Sequence, residues 1–548
     1  MKHLMHMKLA RAACTWSVLA VLLGVAGCTT STDRRPAPSG HDATSALEAG
    51  QVPTWSPDDL QFFLHGSMST EVIPERVLHA FVRTYPDLFL RPDLSHFGLI
   101  PDPAFGWPVG FSRRQVPHLG GLSAVGVNCA ACHVGEVVPI GGGTPVRVLG
   151  MTSHFDAEAF FGAVTVAGLR TADPANMQRF LTAYLAAGDP AGGAAAAPWL
   201  ASGWQRQEAQ LLATISADPF GAHDVAPGAL HAIASTDLAL DGAGLARGRD
   251  LVPLVRALLQ LFHNMRAALH LPDQPPDTLP PASGPGRNDA FGLLSAGLFG
   301  VPQPYAPVKY GLVWNLEHRH WVHWDGNTQS PVGRNLLAAL GLGAPLLGKQ
   351  GQLDFTMVTR QTALSERIRP PRYPFAVDAA AARRGAELYQ GRCAACHNSP
   401  ENDTRLHAVE QVGTEPHRAQ LFTPLQADRF NTFLAELHTP GYRPSDVPGI
   451  RSTRKYWAPS LAGVWARSPY LHNGSVRTMQ ELLTRPPARA QRFHRGSRVY
   501  DTEQLGYADE GPYLLDTGSP GNSNAGHDYG TELSSVQKRD LIEYLKTF

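Results

Sequence analysis

Two copies of one short motif constrain this chain more than any other feature. Residues 128–133 read NCAACH and residues 392–397 read RCAACH, so the pattern C-x-x-C-H occurs twice. This pattern attaches c-type haem: each cysteine sulfur bonds to a haem vinyl group, and the following histidine lies under the iron. The sequence therefore predicts two covalently bound haem c groups. The predicted attachment residues are Cys129, Cys132, Cys393 and Cys396, and the predicted proximal iron ligands are His133 and His397.

Two other uses of paired cysteines fit less well. A redox-active dithiol does not require a histidine directly after the second cysteine. A zinc site could take four thiolates from the two motifs, but it would leave both adjacent histidines without a role. Haem attachment accounts for all three residues of each motif.

Composition indicates a globular protein with room for two or three domains. The chain has 548 residues, of which 43% are hydrophobic and 17% are charged. It carries 47 basic and 47 acidic residues. This balance gives no basic surface for nucleic acid, and no nucleic-acid partner is expected.

The N-terminus has the pattern of a secretory signal. A basic start is followed by an apolar run over residues 12–27, which is too short for a comfortable transmembrane helix. The run ends at Cys28, as in bacterial lipoproteins, in which cleavage falls directly before the cysteine and that cysteine carries the lipids. We expect a signal peptide over residues 1–27 and a flexible tether over residues 28–52, with an ordinary signal peptide as the alternative. Cys28 would then anchor the protein to a membrane, with an outer-membrane lipoprotein on the periplasmic side of a bacterial envelope as the predicted location.

The fold is expected to be mainly α, with two cytochrome c-like haem domains, long irregular loops and little β structure. Apolar periodicity predicts helices near residues 75–85, 155–169, 251–271, 331–342 and 379–390, and a terminal helix that Ser534 and Gln537 cap. Residues 90–121 are interrupted by Pro and Gly and predict an irregular loop. The predicted domains are residues 53–345 and residues 346–548.

The chain resembles the bacterial di-haem cytochrome c peroxidase superfamily, and most closely its rubber-oxygenase-like branch. The matching stretches are residues 61–67, 108–112, 126–133, 284–291, 321–327, 334–335, 470–475 and 526–530. This resemblance implies a di-haem oxidoreductase. Its N-terminal haem would activate peroxide or O₂, and its C-terminal haem would transfer electrons. The implied partner is a small redox cytochrome, or else an apolar or polymeric substrate.

Each haem also needs an assignment on its second axial side. His472 lies in a Tyr-Leu-His-Asn-Gly-Ser turn and is the predicted sixth ligand of the second haem, with Met479 as the alternative. A bis-histidine haem transfers electrons, while an open position allows O₂ or peroxide to bind. The first haem has several candidates, and the sequence does not choose among them: His65, His154, His318, His320 and His323.

The resemblance suggests further roles near the haems. Trp321, or else Trp324, would carry an electron or hole between the two haems, and the alternative for both is ordinary core packing. Asp325 and Asn327 could bind Ca²⁺, although no acidic cluster accompanies them. Arg287 could pair with a haem propionate, and the alternative is a surface arginine.

Three functional hypotheses follow. The first is a peroxidase-like or oxygenase-like enzyme. The second is a non-catalytic di-haem electron-transfer protein with two six-coordinate haems. The third is an enzyme that modifies a periplasmic protein partner.

Overall fold

The computed structural model describes most of the chain after its N-terminal segment. The described residues are 47–116, 122–171, 174–186, 283–301, 304–317, 319–344, 346–347, 350–351, 353–398 and 405–548. The predictions for the signal peptide, for Cys28, for the helix at 251–271 and for His318 lie outside this part. Within it, no helix is both long and apolar enough to cross a membrane.

Helices dominate the described residues, which confirms the predicted mainly α character. The helices are α1 (Pro57–His65), α2 (Glu75–Thr84), α3 (Cys129–His133), α4 (Ala157–Thr171), α5 (Pro174–Ala186), α6 (Ala290–Phe299), α7 (Pro331–Gly341), α8 (Phe355–Glu366), α9 (Ala379–Arg392), α10 (Ala394–His397), α11 (Val409–Val412), α12 (His417–Leu421), α13 (Pro424–Glu436), α14 (Met479–Leu482) and α15 (Ser535–Leu545). The capping box predicted at Ser534 and Gln537 is present at the start of α15.

Short strands connect and brace these helices. The strands are β1 (Ile73–Pro74), β2 (Phe111–Val116), β3 (Leu122–Val127), β4 (Val134–Pro139), β5 (Val146–Leu149), β6 (Arg287–Asn288), β7 (Val308–Lys309), β8 (Trp321–Val322), β9 (Thr328–Gln329), β10 (Leu346–Leu347), β11 (Gln350–Gly351), β12 (Leu406–Ala408), β13 (Lys455–Trp457), β14 (Arg492–Arg495), β15 (Val499–Asp501), β16 (Gly506–Tyr507) and β17 (Tyr513–Asp516). The order β1-β3-β2 forms one sheet, and β16-β15-β4-β5 forms another.

The sheet next to the first haem motif corrects one expectation. Residues 90–121 were predicted to be irregular, but β2 lies within them and pairs antiparallel with β3, from Phe111 opposite Val127 to Val116 opposite Leu122. The local Pro and Gly residues indicate loops, whereas the strand depends on a partner that follows later in the chain. The expectation of little β structure was therefore too low.

Side chains from both predicted domains share one hydrophobic core. A single buried cluster contains Phe63 and Val148 from the first segment together with Trp465, Tyr500 and Leu541 from the second. In addition, β4 pairs parallel with β15. The described residues belong to one compact unit. The boundary between residues 345 and 346 stays a prediction, but buried side chains from both sides of it pack in the same core.

A close helix crossing lies just before the second haem motif. α9 and α15 meet at Gly385, where an added Cβ would stand 2.0 Å from the backbone oxygen of Asp540. Arg384 also donates two hydrogen bonds to the Asp540 carboxylate, at 2.8 and 2.6 Å. A glycine is thus required for this contact. The terminal helix positions the helix that leads into Cys393.

Candidate haem-binding sites

The first C-x-x-C-H segment forms the short helix α3 between β3 and β4. Asn128 caps it, because its side-chain oxygen accepts a hydrogen bond from the Ala130 backbone N–H at 2.9 Å. The Asn128 amide group also donates to the carbonyl oxygens of Phe63 and Gly66, at 3.3 and 2.8 Å. This fully buried asparagine fixes α3 against the end of α1.

A glycine allows the chain to pass close to this helix. Gly110 has a φ of +89°, and a Cβ added there would lie 2.1 Å from the Ala131 backbone nitrogen. Its carbonyl oxygen accepts a hydrogen bond from the Asn128 N–H at 2.8 Å. A side chain at residue 110 would displace the first attachment motif.

Burial sets the protonation states of the first motif and leaves its histidine able to bind iron. Burial raises the pKa of Cys129 to about 11, and burial with the neighbouring Cys129 raises that of Cys132 to about 12. Burial, assisted by the positive charge of Arg334, lowers the pKa of His133 to about 3. His133 is therefore neutral and keeps a nitrogen lone pair for a metal. The Tyr310 ring lies edge-on to it, with centroids 6.4 Å apart.

The second motif holds its histidine in the tautomer that iron requires. His397 Nδ1 donates a hydrogen bond to the Pro459 carbonyl oxygen at 2.8 Å. Burial also lowers the pKa of His397, so the ring is neutral and its lone pair lies on Nε2. A haem-ligating histidine commonly has its other ring nitrogen anchored in this way. The residues present here fit a c-type haem.

A second histidine ring lies near that of His397. The centroid of the His527 ring is 6.3 Å from that of His397. Two imidazoles that share one metal through bonds of about 2 Å have centroids roughly 6 Å apart. The Nδ1 atom of His527 is buried and has no hydrogen-bond partner among the described residues. Burial, reinforced by His397, lowers the pKa of His527 to about 4, which keeps it neutral.

The backbone at His527 is held in an uncommon conformation. Its φ is +53°, which is rare for a residue with a side chain. Its N–H donates to the Val412 carbonyl oxygen at 2.8 Å, and Arg489 donates to its carbonyl oxygen at 3.3 Å. Such strain persists where the surroundings dictate it, and it concentrates at functional sites.

His472 lies in a different polar environment. Its ring stacks on Tyr456 with centroids 4.2 Å apart, and its Nε2 is 3.8 Å from the Glu415 carboxylate. Its carbonyl oxygen accepts a hydrogen bond from the Lys309 N–H at 2.9 Å. The assignment of His472 as sixth ligand stays a prediction, and His527 is a candidate that the sequence reasoning did not single out. The matching stretch at residues 526–530 contained the signal for it.

The histidines proposed around the first haem differ in whether their ring nitrogens already contact protein oxygens. Both ring nitrogens of His65 lie 3.0 Å from protein oxygens, those of Phe111 and Asp102. His323 Nδ1 contacts the side-chain oxygens of Asn327 and Thr328, also at 3.0 Å.

Two further candidates for this position contrast in burial. His320 is exposed. His154 is buried, and its Nε2 has no partner among the described residues. No distal ligand is assigned to the first haem.

The two candidate relay tryptophans have unequal surroundings. Trp321 is half-buried, and the Arg451 guanidinium carbon lies 3.6 Å from its ring centroid. Trp324 donates from Nε1 to the Lys309 carbonyl oxygen at 3.1 Å and packs against the small cluster of Val409, Ala419 and Tyr456. Tyr456 in turn stacks on His472. The cluster beside Trp324 therefore extends to His472, whereas the Trp321 ring has an arginine over its face.

Arg287 is buried, so the alternative of a surface arginine is wrong. Its Nε donates to the Ser283 carbonyl oxygen at 2.5 Å and its Nη1 to that of Asn473 at 3.1 Å. Its Nη2 has no partner among the described residues, which leaves a donor for a carboxylate.

The residues considered for Ca²⁺ are engaged with other protein groups. The Asp325 carboxylate lies 3.1 Å from Arg418 Nη2, and the Asn327 side-chain oxygen accepts a hydrogen bond from Thr328. Among the described residues, no group of three or more His, Cys, Asp or Glu side chains is arranged to hold a metal ion.

Comparisons with known proteins agree with this geometry at a coarse level. Residues 455–494 match a family model described as "RoxA-like, cytochrome c-like", so this part of the chain is cytochrome c-like. The matched stretch includes β13 and His472.

Three relatives were found among curated proteins. Cytochrome-c peroxidase IdrP1 of Denitromonas iodatirespirans is 30% identical over 117 residues, which cover 19% of this chain and 30% of that protein. Uncharacterized protein y4iJ of Sinorhizobium fredii is 30% identical over 359 residues, 48% of this chain and 60% of that protein. Uncharacterized protein y4iM of the same organism is 32% identical over 320 residues, 50% of this chain and 72% of that protein. The chain therefore belongs to the same family as the S. fredii protein y4iM.

Proposed function

We propose that this chain is a di-haem c-type oxidoreductase with two unequal sites. The site on His133 would be the reactive one, and the site on His397 would serve electron transfer. One observation carries this proposal: the His527 imidazole lies 6.3 Å from that of His397, whereas among the described residues the ring paired with His133 is that of Tyr310. The match to a cytochrome-c peroxidase over part of the chain supports the same class.

The chain's own residues would prepare both sites. Haem bound at the two motifs would supply activation of peroxide or O₂ and one-electron transfer. Burial keeps the imidazoles of His133 and His397 neutral, and the Pro459 carbonyl orients the second ring. Trp324, or else Trp321, would lie on the route between the sites. The free Nη2 of Arg287 would pair with a propionate.

The substrate and the location are part of this proposal. A small reduced cytochrome would deliver electrons in a peroxidase, and an apolar polymer would be the substrate of an oxygenase. The chain would act on the periplasmic side of a bacterial envelope, tethered through a lipid on Cys28. Replacing Cys28 with Ala should release the protein from the membrane fraction. Retention of the variant in that fraction would contradict the anchor.

Optical and EPR spectra of the purified haem-loaded protein test the functional class. We expect one haem to change its spectrum with cyanide or peroxide, because under this proposal it would have a free axial position, while the other remains low-spin. Two low-spin haems that respond to neither reagent would instead support a non-catalytic electron-transfer protein.

Turnover assays then separate the enzyme classes. Oxidation of a reduced small cytochrome by peroxide would identify a peroxidase. Cleavage products from polyisoprene latex under O₂ would identify an oxygenase. Activity with neither, in a protein whose first haem binds cyanide, would direct attention to a periplasmic protein substrate.

A further inference from the structure

A small cleft lies beside the segment that follows the first haem motif. It is located between residues 152–154 and the end of β14. Four of its lining residues carry basic side chains: His154, Arg477, His494 and Arg495. None of the residues that line it is an aspartate or a glutamate.

Three buried nitrogen atoms from these residues have no partner among the described residues. They are His154 Nε2, Arg477 Nε and Arg495 Nε. An unsatisfied buried donor costs about 1–3 kcal/mol, more when it is charged, so three in one cleft need an explanation. A water molecule accepts two hydrogen bonds, whereas an oxyanion has several acceptor oxygens.

The two arginines are held in place by other contacts. Arg495 donates from Nη1 to the Gly474 carbonyl oxygen at 2.7 Å and from Nη2 to that of Pro285 at 2.8 Å. Arg477 donates from Nη1 to the Tyr507 carbonyl oxygen at 2.9 Å. These carbonyls orient both guanidinium groups without neutralising their charge.

The third donor is also fixed. The His154 ring packs edge-on against Tyr507, with centroids 4.5 Å apart. The site is thus preorganised, and its charge is not balanced by a lining carboxylate. Buried cations normally have an anionic partner, and none lines this cleft.

We propose that this cleft binds an oxyanion through His154, Arg477 and Arg495. The shared chemistry is that of a carboxylate or a phosphate. Two sources are compatible with it: a free anion from solution, or a carboxylate that the bound cofactor carries.

Calorimetric titration of the haem-loaded protein with inorganic phosphate, at constant ionic strength, is the first arm of the test. A free-anion site predicts saturable binding with one phosphate per chain. Replacing Arg477 with Gln should weaken it about tenfold or more, the cost of one lost charge-assisted hydrogen bond. His154→Gln should also weaken it, and it provides a second variant if the first does not fold.

Arg492→Gln is the matched control. Arg492 lies on the same strand as Arg495, is exposed, and pairs with Asp516 at 2.8 Å. Its replacement should leave phosphate binding unchanged.

Redox titration of the same variants is the second arm. If the cofactor's own carboxylate occupies the cleft, phosphate should not bind to the wild type. In that case Arg477→Gln should shift the midpoint potential of one haem, and Arg492→Gln should not. Absence of saturable phosphate binding together with unchanged potentials in Arg477→Gln would overturn the proposal.

Discussion

At the scale of single residues, the contact between His397 and His527 leads to a prediction about the second haem. Replacing His527 with Ala should convert that haem from a low-spin to a high-spin species, because a strong axial ligand is removed. Replacing His472 with Ala should leave it low-spin, because His472 contacts Tyr456 and Glu415. EPR of the purified variants measures the change.

A control separates ligation from general damage. His96 is a half-buried histidine that packs on Phe97, and its Ala variant should keep the wild-type spectrum. The opposite result, in which His472→Ala alone removes the low-spin signal, would establish the sixth ligand that the sequence predicted.

The electron route gives a second prediction at this scale. A cation 3.6 Å from the Trp321 ring opposes a positive charge on that ring. The Lys309 amine lies farther from the Trp324 ring centroid, at 5.6 Å, and burial lowers the pKa of this lysine well below its ordinary value. We therefore expect Trp324→Phe to slow electron transfer between the haems on the order of tenfold, and Trp321→Phe to change it less. Rapid reduction followed by stopped-flow spectroscopy measures both rates, and the reverse ranking would contradict this reasoning.

Glu158 predicts a pH dependence of stability. Burial raises its pKa to about 7, even though Ser283 donates to it from both its backbone and its hydroxyl group. The folded state therefore favours the protonated carboxyl, and stability is lost as the pH rises from about 4.5 through 7, by about 3 kcal/mol. Thermal unfolding at pH 5 and pH 8 should show a smaller decrease in Glu158→Gln than in the wild type. The exposed Glu503→Gln should behave as the wild type does, and an equal decrease in all three proteins would refute the assignment.

At the scale of elements, the crossing of α9 and α15 leaves no room for a side chain at Gly385. Gly385→Ala places a methyl group against the Asp540 carbonyl and should destabilise the fold by about 1–3 kcal/mol. Gly391→Ala in the same helix meets nothing within 4 Å and should stabilise it by roughly 0.5–1 kcal/mol. Chemical denaturation of both variants provides the comparison. If Gly385→Ala left the free energy of unfolding unchanged, α9 and α15 would be able to move apart without a loss of stability.

The elements also show what the sequence could predict. Ser534 and Gln537 predict the start of α15, because a capping box is a local signal. Phe111 to Val116 was missed as a strand because its partner lies elsewhere in the chain. The two attachment motifs were evident from five residues each. The stretch at residues 526–530 pointed to His527, but the approach of this residue to His397 depends on a strained backbone that the local sequence does not specify.

At the scale of the whole molecule, the two haem motifs are supported by one shared core. Trp465 and Tyr500 are fully buried in the same cluster as Phe63 and Val148. Arg498 on the C-terminal side pairs with Glu136 on the N-terminal side at 2.7 Å. Substitutions near one motif should therefore perturb the structure around the other, because close-packed interiors transmit strain.

This shared core leads to a prediction about the predicted domain boundary. A fragment of residues 346–548 should fail to unfold cooperatively by itself, because Trp465 and Tyr500 would lose the partners that residues 47–316 supply. Burial of each such side chain contributes roughly 1.5–3 kcal/mol, and several lost together exceed the usual stability of a domain. Denaturant titration of the haem-loaded fragment, followed by fluorescence and near-UV circular dichroism, measures this. Mixing it with the separately produced residues 47–345 should restore a cooperative transition. A cooperative transition in the isolated fragment would instead establish two independent domains and reduce the core to an interface between them.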